Sequence, residues 1–330
     1  MARSRLLPDN FTLALVATVT LASLLPASGA VGAFFEKATV GVVALLFFMH
    51  GAKLSREAVI AGIGHWRLHL LVVASTFVLF PVLGLVLRPV LQPLVTPELY
   101  TGVLFLCVLP ATVQSAIAFT AVARGNMAAA ICSASASTLL GIVITPLLVG
   151  VVLPQASGTV QQDVLGSIGR IMLQLMLPFV AGHLLRPWIG GFIGRHAATL
   201  KYVDQGSVLL VVYTAFSAAV VGGLWRELPL PALAGLLVVC AVILGLALTA
   251  TTWLARRLGF SKEDEITIVF CGSKKSLVSG VPMAKVLFPS EAAGAIVLPL
   301  MVFHQMQLMV CAVLAQRYAR RPEHPATQPA

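Results

Sequence analysis

Two adjacent lysines, Lys274 and Lys275, stand between Ser273 and Ser276 in a stretch, Ile266–Ala284, that carries no other charge. An ammonium in such a setting can attract an anion, stand in for a cation, or act as base to a neighbouring serine. A second polar run, Thr112, Gln114 and Ser115, follows Pro110 in the uncharged stretch Leu99–Ala123. Ser133, Ser135, Ser137 and Thr138 crowd a third stretch, and alternate positions cannot share one helical face. We assign Ser133 and Ser137 to a ligand path and the others to close helix packing. Gln305 and Thr76 complete the candidate set. Cys107, Cys132, Cys240, Cys271 and Cys311 are odd in number and lack C-x-x-C spacing, so they read as packing residues. Neither an H-E-x-x-H motif nor a Gly-rich phosphate loop occurs, which argues against metal hydrolysis and an ATP-driven pump. No cofactor is expected.

The elements that hold these groups follow from composition. Of 330 residues, 58% are hydrophobic and 10% charged, against about 25% charged in a soluble domain. The net charge of +10 is not that of a nucleic-acid binder, because the basic residues form short clusters between long apolar runs. Each run approaches the ~20 residues needed to cross a bilayer. They are Phe11–Ser28, Ala38–Ala52, Leu70–Leu87, Leu99–Ala123, Asn126–Leu153, Ile171–Leu185, Gln205–Trp225, Leu228–Ala255, Ile266–Ala284 and Ala292–Gln316. Ten spans leave no room for a soluble domain. With the N-terminus inside, fifteen Lys and Arg fall in inner segments, from Arg3 and Arg5 to Arg320 and Arg321. Outside stand five: Lys37, Arg88, Arg170, Arg226 and Lys285. That bias puts both termini in the cytoplasm. Arg3, Arg5 and Ala27-Ser28-Gly29-Ala30 also fit a cleaved signal peptide, which would leave nine spans in the same sense.

The two halves repeat. Each opens with a Pro-containing span (Pro26, Pro178). Glu98-Leu99 leads through Phe105-Leu106-Cys107 to Pro110, as Glu265-Ile266 leads through Val269-Phe270-Cys271 to Gly272. Five spans are odd, so the second unit enters the membrane inverted, a transporter plan with binding where interrupted helices meet at the midplane. Pro110, and Gly272 with Gly280-Val281-Pro282, are expected to break spans four and nine and free backbone groups for a ligand. A kink closed by Ser and Thr side chains is the alternative. A lysine at the bilayer centre costs ~2.5–3.5 kcal/mol, and all twelve acids lie in loops or near span ends. One ammonium is therefore expected in a cavity while the other caps carbonyls; snorkelling to the interface is the other option.

These residues resemble the bile acid/sodium symporter family over most of the chain, from the first span to about Ala315. Ala123-Arg124-Gly125-Asn126 matches its A-R-G-N, between a Pro-initiated break and a Ser/Thr-rich helix ending in Thr145-Pro146. Val113-Gln114-Ser115-Ala116-Ile117-Ala118, Cys132-Ser133-Ala134-Ser135-Ala136-Ser137 and Cys271-Gly272-Ser273-Lys274-Lys275-Ser276 are similar to the divergent branch that holds the vertebrate seventh member and bacterial relatives. The resemblance implies an all-α protein of ten helices in two inverted five-helix repeats, with broken helices 4 and 9 crossing at the midplane. It implies panel helices at about 10–60 and 164–225, core helices at about 66–153 and 231–318, and movement of core against panel. Residues 319–330 would be a disordered cytoplasmic tail. The family's Ser-Asn falls at Ser115 and Ala116, its two fifth-helix hydroxyls at Ala130 and Ala134, its third-helix Gln at Thr76. Its ninth-helix Glu-x-x-Met-Gln falls across Cys271–Lys275. No sodium ligand set survives that mapping, since a hard cation wants several oxygens and net negative charge.

The expected function is secondary transport of a small organic anion, coupled to sodium or, through a desolvated lysine that gives up its proton, to protons. The expected setting is the plasma membrane, the inner membrane if the source is bacterial, as monomer or homodimer and without nucleic acid. Two other classes stay open. One is an uncoupled channel or regulatory membrane protein on the same scaffold. The other is an intramembrane Ser/Lys hydrolase, which needs nucleophile and base within ~3 Å.

Overall fold

The computed structural model describes residues 10–53, 65–153 and 164–321. Within them the chain is helical and contains no strand. The first helices are α1 (Asn10–Leu24), α2 (Gly29–Lys53) and α3 (Trp66–Val86). Next come α4 (Pro97–Val108), α5 (Gln114–Val122), α6 (Met127–Val152), α7 (Val164–Arg195) and α8 (Ala197–Val221). The last are α9 (Leu230–Arg257), α10 (Lys262–Gly272), α11 (Leu277–Leu287) and α12 (Ser290–Ala319). Six of them, α2, α3, α6, α8, α9 and α12, are long and apolar enough to cross a membrane. Residues 54–64 and 322–330, and the turn expected at Pro154–Gly158, lie outside the described residues, as does most of the expected tail.

Proline marks some helix boundaries and is carried through at others. Pro26 was expected inside the first span, but α1 stops at Leu24 and Pro26 sits in the connector; proline restricts the residue before it and cannot donate to the helix. Pro178 and Pro187, by contrast, are carried within α7, which continues to Arg195 instead of ending near Leu185. The two expected breaks are present. The chain leaves the helix between Val108 and Gln114, around Pro110, and again between Gly272 and Leu277, around the lysine pair. Each broken unit begins alike: Thr96 Oγ1 accepts from Leu99 N–H, and Ser261 Oγ from Asp264 N–H.

A third irregularity was not expected. Ser75–Leu79 forms one π-helical turn in the middle of α3, just before Pro81. Phe80 N–H reaches back to Ser75 O; the next residue, Pro81, has no N–H, so Thr76 O lacks a backbone donor.

Packing is close where glycine faces backbone. A Cβ on Gly51 would overlap Phe179 O, and one on Gly182 would overlap Phe48 O, so α2 and α7 touch through reciprocal glycines. The A-R-G-N segment ties α5, α6 and α10 together. Asn126 Oδ1 accepts from Ala129 N–H at the start of α6, its Nδ2 donates to Asp264, and its own N–H donates to Glu263 O. Arg321 donates to Ala123 O and Arg124 O and pairs with Glu263.

Candidate functional site

The two breaks meet. Ser276 N–H donates to Pro110 O at 2.9 Å, and the other carbonyls of the first break are also satisfied from outside their own helix. Val108 O accepts from Thr145 Oγ1 at 2.9 Å, while Cys107 O and Leu109 O accept from Lys275 Nζ at 2.9 and 2.7 Å. The third bond of that ammonium goes to Thr76 O, 2.8 Å away, the carbonyl exposed by the π turn. Lys275 thus fills all three donor positions with backbone oxygen, fully buried, under the Phe80 ring at 4.2 Å. Gln307 fixes its backbone, accepting from Lys275 N–H and donating to Lys275 O, each at 2.9 Å.

Lys274 takes a different environment. It is also fully buried, with Nζ donating to Ser115 O at 3.0 Å and lying 3.7 Å from the centroid of Phe119 and 5.4 Å from that of Phe270. Among the described residues, no ion pair includes either lysine. Neither ammonium snorkels to a surface.

Beside the meeting point lies a cavity of about 300 Å³. One wall comes from α1, α2, α7 and α8, through Phe11, His50, Lys53, Phe179, Lys201, Asp204 and Gln205. The other comes from the breaks and from α5, α6, α11 and α12, through Thr112, Val113, Gln114, Ser115, Ser135, Thr138, Ser276, Val278, Ser279, His304 and Leu308. The start of α11 is capped, because Ser276 Oγ accepts from Ser279 N–H at 3.1 Å. The start of α5 has no side-chain cap, and its first N–H groups carry the positive end of the helix dipole. Lys53 pairs with Asp204 on the cavity wall opposite the breaks. Asp204 Oδ1 and His50 Nδ1 are buried there without a hydrogen-bond partner among the described residues.

Of the residues assigned from sequence, Thr112, Gln114, Ser115 and Ser276 line the cavity. Lys274 and Lys275 lie behind its wall, and Thr76 contributes its carbonyl to Lys275 rather than a hydroxyl to the cavity. Ser273 Oγ donates to Val269 O, Ser133 Oγ bonds His69 Nδ1 at 2.7 Å, and Ser137 Oγ accepts from Ala111 N–H at 2.9 Å. Gln305 is not on the lining; its neighbour His304 is. Ser135 and Thr138, three apart on the opposite face of α6, line the cavity instead of Ser133 and Ser137. His50, Lys53, Asp204 and Ser279 are further lining residues that the sequence reading passed over. Asp204 carried a signal, being an acid directly before the apolar span Gln205–Trp225.

Comparison with known proteins matches this arrangement to a family. The profile of the SBF-like CPA transporter family covers residues 9–320. Uncharacterized protein PA2026 of Pseudomonas aeruginosa is 67% identical, over 99% of this chain and 97% of its own length. YfeH of Escherichia coli is 59% identical over 96% of this chain and 94% of its own. Sodium/bile acid cotransporter 7 of Danio rerio is 27% identical over 94% of both. The family is one of transporters rather than enzymes, acts on small solutes within a membrane, and implies no cofactor. This chain, an integral membrane protein, belongs to the SBF-like CPA transporter family of the bile acid/sodium symporter group.

Proposed function

We propose that the protein is a secondary transporter of a small organic anion, binding it in the cavity where the two breaks meet. One observation carries this reading. The cavity separates the helices expected as panel, α1, α2, α7 and α8, from those expected as core, α5, α6, α11 and α12, with both breaks on the core side. A sliding or rocking contact between the two groups would expose such a cavity alternately to either face. The uncapped start of α5 and the hydroxyls of Thr112, Ser115, Ser135, Thr138, Ser276 and Ser279 supply donors to an anion. Among the described lining residues no carboxylate comes from the breaks to repel it; Asp204, paired with Lys53, is on the opposite wall.

In this reading α4 with α5, and α10 with α11, each make one interrupted crossing, giving ten crossings in two inverted repeats with both termini cytoplasmic. Lys53 and Lys201 belong to the inner basic set, so the cavity faces the cytoplasm in this state. The setting is a plasma membrane, as monomer or homodimer. Lys275 takes the place of a coupling cation: three carbonyl oxygens at 2.7–2.9 Å surround a charge that the chain carries with it, and sodium has no vacancy there.

Purified protein in liposomes, screened with a panel of organic anions, tests the binding site through Ser135→Trp and Thr138→Trp. Both place an indole in the cavity and are expected to abolish uptake while the protein remains monodisperse. Uptake at the wild-type rate by both variants would contradict the assignment.

A further inference from the structure

On the opposite side of α12 from the transport cavity, α9 and α12 leave an open groove of about 710 Å³. Its far part is apolar, lined by Leu248, Val313 and Leu314, and its near end holds Trp253, Arg256 and Arg317. We propose that this groove binds an anionic glycerophospholipid, with the phosphate at the two arginines and an acyl chain along the apolar part.

Length, charge and exposure each support that occupant. From Gly245 to Arg256 the groove follows α9 for roughly 16 Å at ~1.5 Å per residue, close to one leaflet of a ~30 Å hydrocarbon core. Trp253 is 61% exposed one turn before Arg256, which sets its indole at headgroup level. The arginines end their helices side by side. The acid nearest them, Glu265, already holds Arg256, Lys262 and the Tyr318 hydroxyl. Arg317 enters no ion pair among the described residues, so the end of the groove carries uncompensated positive charge. A zwitterionic headgroup would bring no net charge to meet it; a phosphodiester of net negative charge does. Because the groove is cut into a lipid-facing surface, an acyl chain fills it without any partner protein.

The test is native mass spectrometry of the full chain, loaded in detergent with equal amounts of dioleoylphosphatidylglycerol and dioleoylphosphatidylcholine. The anionic lipid is expected to be retained preferentially, and Arg317→Gln to cut that preference about fivefold, the value of one basic group near a charged headgroup. Among the described residues Arg317 makes no ion pair whose loss would disturb folding. Gly245→Leu is the second variant: a Cβ there meets nothing within 4 Å, so the leucine enters the groove and is expected to reduce retention of both lipids. Equal retention of the two lipids by the wild type would overturn the proposal, as would a preference unchanged by Arg317→Gln. Crosslinking of two copies through Val313→Cys would overturn it too, since the face would then belong to a second chain.

Discussion

Lys275 and Lys274 differ in what their removal leaves behind. Lys275→Met strands three buried carbonyl oxygens, and each unsatisfied buried polar group costs ~1–3 kcal/mol. Lys274→Met removes one bond to Ser115 O, a carbonyl already held within α5, and each variant forfeits a cation–π contact worth about 2 kcal/mol. Both changes also relieve the cost of burying a charge, which the two variants share. Thermal unfolding in detergent should therefore show a larger drop in Tm for Lys275→Met than for Lys274→Met; equal or reversed shifts would contradict the cage described here. Ser276→Ala removes the cap of α11 and should cost about 1 kcal/mol, read in the same assay. At this scale the sequence showed that the lysines must be exceptional, since lysine is costly in hydrocarbon. One ammonium was expected on carbonyls and the other in a cavity; Lys275 caps three carbonyls, but Lys274 also bonds a carbonyl and does not line the cavity. The placing of Lys275 depended on the carbonyl at Thr76, which only the π turn exposes.

The helices bring these groups together by breaking at fixed places. Pro110 and Pro81 act as a pair, one ending α4 and the other interrupting the ladder of α3 at its π turn, so that Cys107 O, Leu109 O and Thr76 O converge. Pro81→Ala restores an N–H able to reach back to Thr76 or Phe77, competing with Lys275 for its third oxygen. We expect the variant to lose transport while keeping its helix content by circular dichroism; unchanged uptake would show that the π turn is dispensable. Both broken spans were legible, because proline and a Gly-flanked polar run interrupt otherwise uniform apolar stretches. The rotation of α6 was not: Ser133/Ser137 and Ser135/Thr138 are equally good faces by spacing, and only packing against α3 and the first break chooses between them. The π turn was hidden as well, since Pro81 announces a kink without specifying its kind.

Across the whole molecule, two groups of helices line the cavity, and within one of them α2 and α7 lie in backbone contact. Gly51 and Gly182 set the α2–α7 contact. Gly51→Ala and Gly182→Ala each force a methyl into a backbone carbonyl and should cost ~1–3 kcal/mol as overpacking, whereas Gly41→Ala, with nothing within 4 Å of its Cβ, should leave Tm unchanged or raise it, since alanine favours a helix interior by up to ~1 kcal/mol over glycine. Composition was enough to place the chain in a membrane, and the charge bias and internal similarity suggested the ten-span plan. The helices facing the cavity were inferred only through the family resemblance, because uniform apolar spans do not encode which of their neighbours they slide against.

The central claim is that a tethered ammonium at the meeting of two broken helices replaces a dissociable metal cation. The most direct measurement is the initial rate of organic-anion uptake into proteoliposomes at constant pH and zero membrane potential, with an inward sodium gradient or with choline in its place. The account predicts equal rates and equal final accumulation in the two conditions. Accumulation above equilibrium only when the sodium gradient is imposed would contradict it.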